Sequence, residues 1–255
     1  VKRRRIEPIY TNTYRQLRNR SRRLRFFSIL LILIIIAGGW FGYRHYRDQQ
    51  LSHYRVRGVT LDQANGFVDF QQLSQQGFQF AYLRATSGAT YTDDQFQSNY
   101  DRSQGSSLKM GVYHVYSYTT SPKAQFKNFE REVGYREGQL PIAVQVTTYG
   151  KYNARYLRQS EPQKKLLQLV SLLQQHYDKR IIIWCTPNIW QSVNQTSLAR
   201  YKTWLQTSSL SHQSGQVVFI TYDEKATVKL NGQSQTVPAS VFNGSQRQWH
   251  SWSTQ

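Results

Sequence analysis

The chain has one cysteine and few acids. Cys185 stands alone among 255 residues, so no internal disulfide braces the fold and a packed core must hold it. Fourteen Asp and Glu face 33 Lys and Arg, a formal charge of +19. No P-loop and no G-x-G-x-x-G appears, which removes the usual sequence signs of a nucleotide site. No cluster of His, Asp or Cys has metal-ligand spacing, so neither a metal nor another cofactor is expected. Such a basic chain invites a nucleic-acid reading only if the charge is evenly spread.

The charge is uneven. Residues 1–25 hold ten Lys or Arg against one acid, Glu7. The uncharged run FFSILLILIIIAGGWFGY follows at 26–43. At 1.5 Å per residue it spans about 27 Å, close to the roughly 30 Å hydrocarbon core of a bilayer. A run apolar on every face is expected to be a membrane helix rather than a core helix. Trp40, Phe41 and Tyr43 suit its outer interface, and the preceding cations predict a cytoplasmic N-terminus and an outer C-terminal domain. Orientation explains the basic tail without nucleic acid, and an uncleaved signal-anchor is favoured over a cleaved leader at Ala37-Gly38-Gly39. The expected organisation is a basic tail at 1–25, a span at 26–43, a polar stalk at 44–55 and a barrel domain at 56–250. The basic outer domain suits an anionic cell-wall polymer.

Beyond Arg57, strand and helix patterns alternate. Strands are expected at RGVTL, at FQFAYLRAT (78–86), at LKMGVYHVYSY (108–118), in LPIAVQV and at RIIIWCT (180–186). Helices are expected in VDFQQLSQQG, in TDDQFQSNYDRSQG with Asp93 and Asp94 in its first turn, in SPKAQFKNFEREVGYREG and in EPQKKLLQLVSLLQQHYDK. WLQT, QVVFITY and KATVKLNG read as sheet. Strands without apolar-polar alternation imply a parallel sheet covered on both faces. The missing phosphate loop favours a β/α barrel over an open sheet, with any site at the C-terminal strand ends.

Six segments then line up with a known family. GVTLDQANGFVDF (58–70), LRATSGATYTDDQFQSNY (83–100), GVYHVYSY (111–118), LPIAVQVTTYG (140–150), IIIWCTPNIW (181–190) and VPASVFNG (237–244) resemble, in order, the motifs of glycoside hydrolase family 25, the Chalaropsis-type lysozymes or N-acetylmuramidases. The resemblance implies a TIM-like barrel with irregular last strands, acting on the glycan of peptidoglycan. It also carries the family's acids onto neutral residues. The first-strand acid falls on Thr60, the fourth-strand aspartate and glutamate on Gln145 and Thr147, the second-strand glutamate on Ser87, and the last aspartate on Pro238.

Glycosidic hydrolysis ordinarily needs a carboxylic acid to protonate the leaving oxygen. Neither Gln145 nor Thr147 supplies one. The expectation is therefore a membrane-anchored, catalytically impaired lysozyme-like domain that binds peptidoglycan or another wall glycan in a Gram-positive envelope. One alternative is an active muramidase with relocated acids, Asp62 with Asp223 or Glu224. Another is a barrel serving only as a protein-interaction module. Arg84, Tyr113, His114, Tyr116, Tyr149, Trp184 and Trp204 are the candidate sugar contacts, beside Tyr82. Tyr82 and Trp184 also read as barrel core, His114 as a structural hydrogen-bonder, Asp62 as a loop cap, and Asp223–Glu224 as an exposed turn.

Overall fold

The computed structural model describes residues 11–194, 196–210 and 214–254, with side chains described from residue 25 onward. The first helix, α1 (Thr11–Ser52), contains the uncharged run, and its side chains there are exposed. By length and composition it is suited to cross a membrane once. The helix continues unbroken through residues 44–52, so most of the expected stalk is helical. The cations at positions 2–5 lie outside the described residues. Contacts divide the chain between Ser52 and His53, and the second unit holds everything that follows.

In that unit the chain runs β1 (Arg57–Leu61), α2 (Phe70–Gln75), β2 (Phe80–Ser87), the short β3 (Tyr91–Thr92), α3 (Phe96–Ser103) and β4 (Lys109–Val115). It continues through α4 (Pro122–Val133), β5 (Ile142–Val146), α5 (Ser160–Tyr177), β6 (Ile181–Cys185) and α6 (Pro187–Val193). The last elements are β7 (Lys202–Gln206), β8 (Val217–Leu230), β9 (Gln233–Phe242) and α7 (Gln246–Ser253). Among the described residues, eight strands close a barrel in the order β1-β2-β4-β5-β6-β7-β8-β9. The pairs from β1 to β8 are parallel, whereas β9 runs antiparallel to both β8 and β1. The expected barrel with irregular last strands is present, after one long apolar helix.

The unalternating strands are explained by two cores. On β6, Ile181, Ile183 and Cys185 face the helical layer, while Ile182 and Trp184 face the barrel interior. Helix α5 covers the outside with Leu166, Leu169, Val170 and Leu173, a spacing that puts all four on one buried stripe. Helix α4 begins at Ser121, whose hydroxyl accepts from the Ala124 N–H at 3.2 Å, with Pro122 next, and stops at Gly134 with φ 52°.

Aromatic rings fill the interior. Trp184 and Trp204 stack at 4.4 Å between centroids, Tyr82 meets Trp204 edge-on at 4.7 Å, and Phe80 lies 4.7 Å from Phe219. Polar atoms among them are mostly paired. The Trp204 Nε1 donates to Thr221 Oγ1 at 2.8 Å, Thr221 and Ser240 hydroxyls lie 2.9 Å apart, and the Tyr82 hydroxyl donates to the Pro141 carbonyl at 2.9 Å. Such bulk fits only because the neighbouring strands carry a glycine where these rings approach. A Cβ on Gly111 would collide with the Tyr82 ring, and one on Gly58 with the Phe80 ring, both fully buried.

Gly111→Ala is therefore expected to destabilise the barrel by about 1–3 kcal/mol, the usual range for overpacking a core. Denaturant unfolding of the chain in neutral detergent, followed by near-ultraviolet dichroism, measures it. An unchanged midpoint contradicts the packing described.

Candidate functional site

The C-terminal ends of the parallel strands form one rim, where barrel enzymes carry their chemistry. Alternation turns Thr60 inward on β1, since Val59 and Leu61 belong to the outer core. Gln145 lies inward on β5, in register with Val115 and Trp184. Thr147 follows β5, where its carbonyl accepts from the Tyr118 hydroxyl at 3.1 Å. Ser87 ends β2 and pairs with Tyr91 of β3. Pro238 sits on β9 opposite a register shift between Asp223 and Ala226, a place where the missing N–H breaks no ladder. The Thr60 hydroxyl and the Trp184 Nε1 are buried and, among the described residues, have no hydrogen-bond partner.

The charged centre of the rim is Arg84. Its Nη1 lies 3.2 Å from Asp62 Oδ2 and its Nε 3.1 Å from Asp93 Oδ2. Its Nη2 donates to the Tyr91 hydroxyl at 2.9 Å, with the guanidinium over the Tyr91 ring. Burial works against this charge, but Tyr113, Asp62, Tyr91 and Asp93 outweigh it and raise the Arg84 pKa. Asp62 also caps the short turn at Gln63–Asn65, accepting from the Ala64 N–H at 2.9 Å.

Asp93 was expected in the first turn of a helix. Helix α3 instead starts at Phe96, and the Asp93 side chain is 1% exposed beneath the rim. It accepts from the backbone N–H groups of Gln63 at 2.8 Å and Gln95 at 3.1 Å. Burial raises its pKa despite those donors and Arg84. Sequence reasoning missed this acid because TDDQ reads as an exposed helix start; the preceding cation on β2 is the signal that pairs with it.

The other proposed acids lie elsewhere on the rim. Asp223 and Glu224 belong to β8 and not to a turn, because β8 runs on into a long hairpin with β9 that turns at Asn231-Gly232. Asp223 Oδ1 accepts from the Lys225 N–H at 3.0 Å, and Glu224 Oε1 accepts from Gln206 Nε2 at 2.7 Å. The acids paired with Arg84 are Asp62 and Asp93.

Several candidate sugar contacts are closed to a ligand. His114 is fully buried on the outer side of β4, with Nδ1 2.7 Å from Thr86 Oγ1 and Nε2 3.1 Å from Gln125 Oε1. Gln125 Oε1 also accepts from the Ser117 N–H, so His114 Nε2 carries the proton and Nδ1 accepts from Thr86. Burial lowers the imidazole to about 4, which keeps it neutral. Trp204 is buried in the interior stack and Tyr116 in the outer core, so none of the three is a surface contact. Tyr113 and Trp184 pack edge-on at 5.2 Å just under the rim, with burial raising the Tyr113 pKa. Tyr149 is 44% exposed and joins an aromatic group in which Tyr118 stacks on Tyr152 at 5.1 Å, beside Tyr156. Cys185 is buried in the outer core, its thiol pushed up to about 12 by burial, and so unreactive. Among the described residues, no three His, Cys, Asp or Glu side chains converge as metal ligands.

Arg84→Met leaves Asp93 as a buried carboxylate without its cation, and should cost about 3–5 kcal/mol near neutral pH. An acid whose pKa is raised by folding favours the fold below its unfolded value and loses that contribution as pH rises. Removing Arg84 raises the folded pKa further, so the loss is expected to be smaller at pH 4 than at pH 7. Urea unfolding at the two pH values tests this, and a pH-independent loss contradicts the pairing.

Comparison with known proteins agrees with this geometry. A family 25 glycosyl hydrolase from Bacillus anthracis superposes with a TM-score of 0.68, at 22% identity, over 79% of this chain and 94% of its own. The modular autolysin LytC from Streptococcus pneumoniae, solved in complex with a synthetic peptidoglycan ligand, gives 0.60 at 12% identity, over 73% and 46%. In sequence, the Escherichia coli K12 protein YegX is 26% identical over 153 residues, 57% of this chain and 54% of that protein. The chain thus spans about half the length of this curated relative. The family model described as glycosyl hydrolases family 25 matches residues 60–228, more than half of the chain, from β1 into β8. The protein therefore belongs to glycosyl hydrolases family 25.

Proposed function

We propose that this chain is a membrane-tethered lysozyme-like domain that has lost the ordinary muramidase chemistry and binds peptidoglycan or another cell-wall glycan at the C-terminal rim. One observation carries the reading: Thr60, Gln145, Thr147 and Pro238, the positions onto which the resemblance carries the family's acids, are all neutral. None of these delivers a proton to a leaving oxygen near neutral pH, a contribution typically worth about 10²–10⁴-fold in rate. The acids that remain are committed. Asp62 is held by Arg84 and the Ala64 N–H, and Asp93 is buried on the same guanidinium. Relocated catalysis through Asp62 with Asp223 or Glu224 would have to surrender those contacts first.

Binding is supported by what the rim offers. Tyr149 presents an exposed ring and Arg84 keeps part of its fork accessible. The ten cations before the apolar run support a cytoplasmic N-terminus with the barrel outside. The basic barrel suits an anionic polymer in the cell wall. A second reading, the barrel as a protein-interaction module of the envelope, rests on the interior being filled by Tyr113, Trp184 and Trp204 right up to the rim.

The full chain in neutral detergent is expected to produce no clearing on cell-wall zymograms and no new reducing ends, with Asp62→Ala behaving identically. It is expected to sediment with insoluble peptidoglycan, and Tyr149→Ala to weaken that association several-fold. Release of reducing ends that disappears in Asp62→Ala overturns the loss of catalysis. Failure of the folded wild-type chain to sediment overturns the glycan-binding part and favours the protein-interaction reading.

A further inference from the structure

The opposite end of the barrel carries a second polar site. Pro141 precedes β5, Arg180 precedes β6 and Tyr201 precedes β7, so these residues mark the N-terminal strand ends, away from the rim with Asp62 and Gln145. Together with Gln174, Arg200, Lys202 and Trp252 they line a cleft of about 500 Å³. That volume falls within the range of small-molecule sites, about 300–1,000 Å³. None of its described lining residues is acidic, and three are cationic.

Arg200 and Lys202 are held by neutral groups. Arg200 donates through Nη2 to the Tyr201 hydroxyl at 2.9 Å and lies over the Tyr201 ring. Lys202 donates to the Gly215 carbonyl at 2.9 Å. Both are exposed, and among the described residues neither forms an ion pair with a carboxylate. Arg180 donates to the Trp252 carbonyl at 2.7 Å with its guanidinium 4.8 Å from the Trp252 ring, fixing the indole as one wall. Arg200 and Lys202 can turn remaining N–H groups toward an anion without abandoning a salt bridge, while Trp252 offers apolar surface to whatever the anion is attached to.

We propose that this cleft binds a phosphodiester anion joined to a small polyol, with Arg200 and Lys202 gripping the phosphate and Trp252 covering the polyol. An Arg fork and a neighbouring ammonium match phosphate oxygens. The chemistry is common to the headgroup of an anionic glycerophospholipid and to a soluble glycerophosphodiester. The site is independent of the glycan reading, because it uses no rim residue.

The test is calorimetric titration of the full chain in neutral detergent with glycerophosphoglycerol. Saturable binding is expected, weakened at least 10-fold in Arg200→Gln/Lys202→Gln and unchanged in Lys123→Ala/Lys127→Ala on the exposed face of α4. Thermal unfolding of each variant confirms that the fold is retained. Repeating the titration in nanodiscs separates the sources. Phosphatidylglycerol discs that abolish the soluble ligand's binding, where phosphatidylcholine discs do not, identify the lipid headgroup; equal binding in both identifies the soluble diester. Absence of saturable binding by the wild type, or equal binding by the doubly neutralised cleft variant, overturns the proposal.

Discussion

The stacked pair of Trp184 and Trp204 is the contact on which the rest of the barrel depends. Trp204 is fully buried, takes the edge of Tyr82, and through its indole nitrogen reaches Thr221 and then Ser240. One side chain thereby ties the parallel strands β2, β6 and β7 to the antiparallel closure at β8 and β9. Protein interiors are close-packed, so this aromatic layer dictates where glycine must stand, at Gly58 and Gly111, and how high the interior is filled. The rim residues rest on that filling. Gln145 sits in register with Trp184, directly at the level where ring packing gives way to polar side chains.

The polar layer above it is organised by a single guanidinium. Two acids and one cation leave the trio Asp62, Arg84 and Asp93 with a formal excess of one negative charge, on a barrel that is otherwise strongly basic. Muramidase chemistry asks for a protonated carboxyl over the leaving oxygen and negative charge near the sugar's anomeric centre. Here Arg84 offsets one of the two negative charges on the β1–β2 side, while Gln145 on β5 contributes an amide and Thr147 just after it a hydroxyl. The family fold fixes where the strand ends stand, and the side chains carried there decide what chemistry the rim can perform.

Much of the scaffold could be read from the chain. IIIWC is a short apolar run between a helix and a proline, and it is a strand buried on both faces. Helix α5 showed in its stripe of Leu166, Leu169, Val170 and Leu173. The strand within LPIAVQVTTYG was also legible, and it is β5. What escaped was set by distant partners. Asp93 looks like an exposed helix acid until Arg84 and Gln63 are folded over it. Asp223 and Glu224 look like a turn because charge interrupts the apolar run, but pairing with β9 carries the strand past them. His114 and Trp204 have the composition of sugar contacts, and only their facing, outward into the helical layer or inward into the stack, removes them from the surface. The polar residues 44–52 continue α1 because hydrogen bonding along a helix does not require apolar side chains.

The antiparallel strand β9 has a consequence for biosynthesis. Strands β1 and β2 pair directly, and each later parallel strand adds to the growing edge, but β1's other edge meets nothing until β9 arrives. While the ribosome makes everything between Leu61 and Gln233, that edge and the advancing one both expose unpaired backbone, the condition that invites strand exchange between neighbouring chains. The Asn231-Gly232 turn shortens the exposure at the end. It reverses the chain in two residues, is anchored at once by Asn231 to the Phe67 carbonyl and by Lys229 to Gln76 near α2, and so delivers β9 to the waiting strand as soon as it emerges.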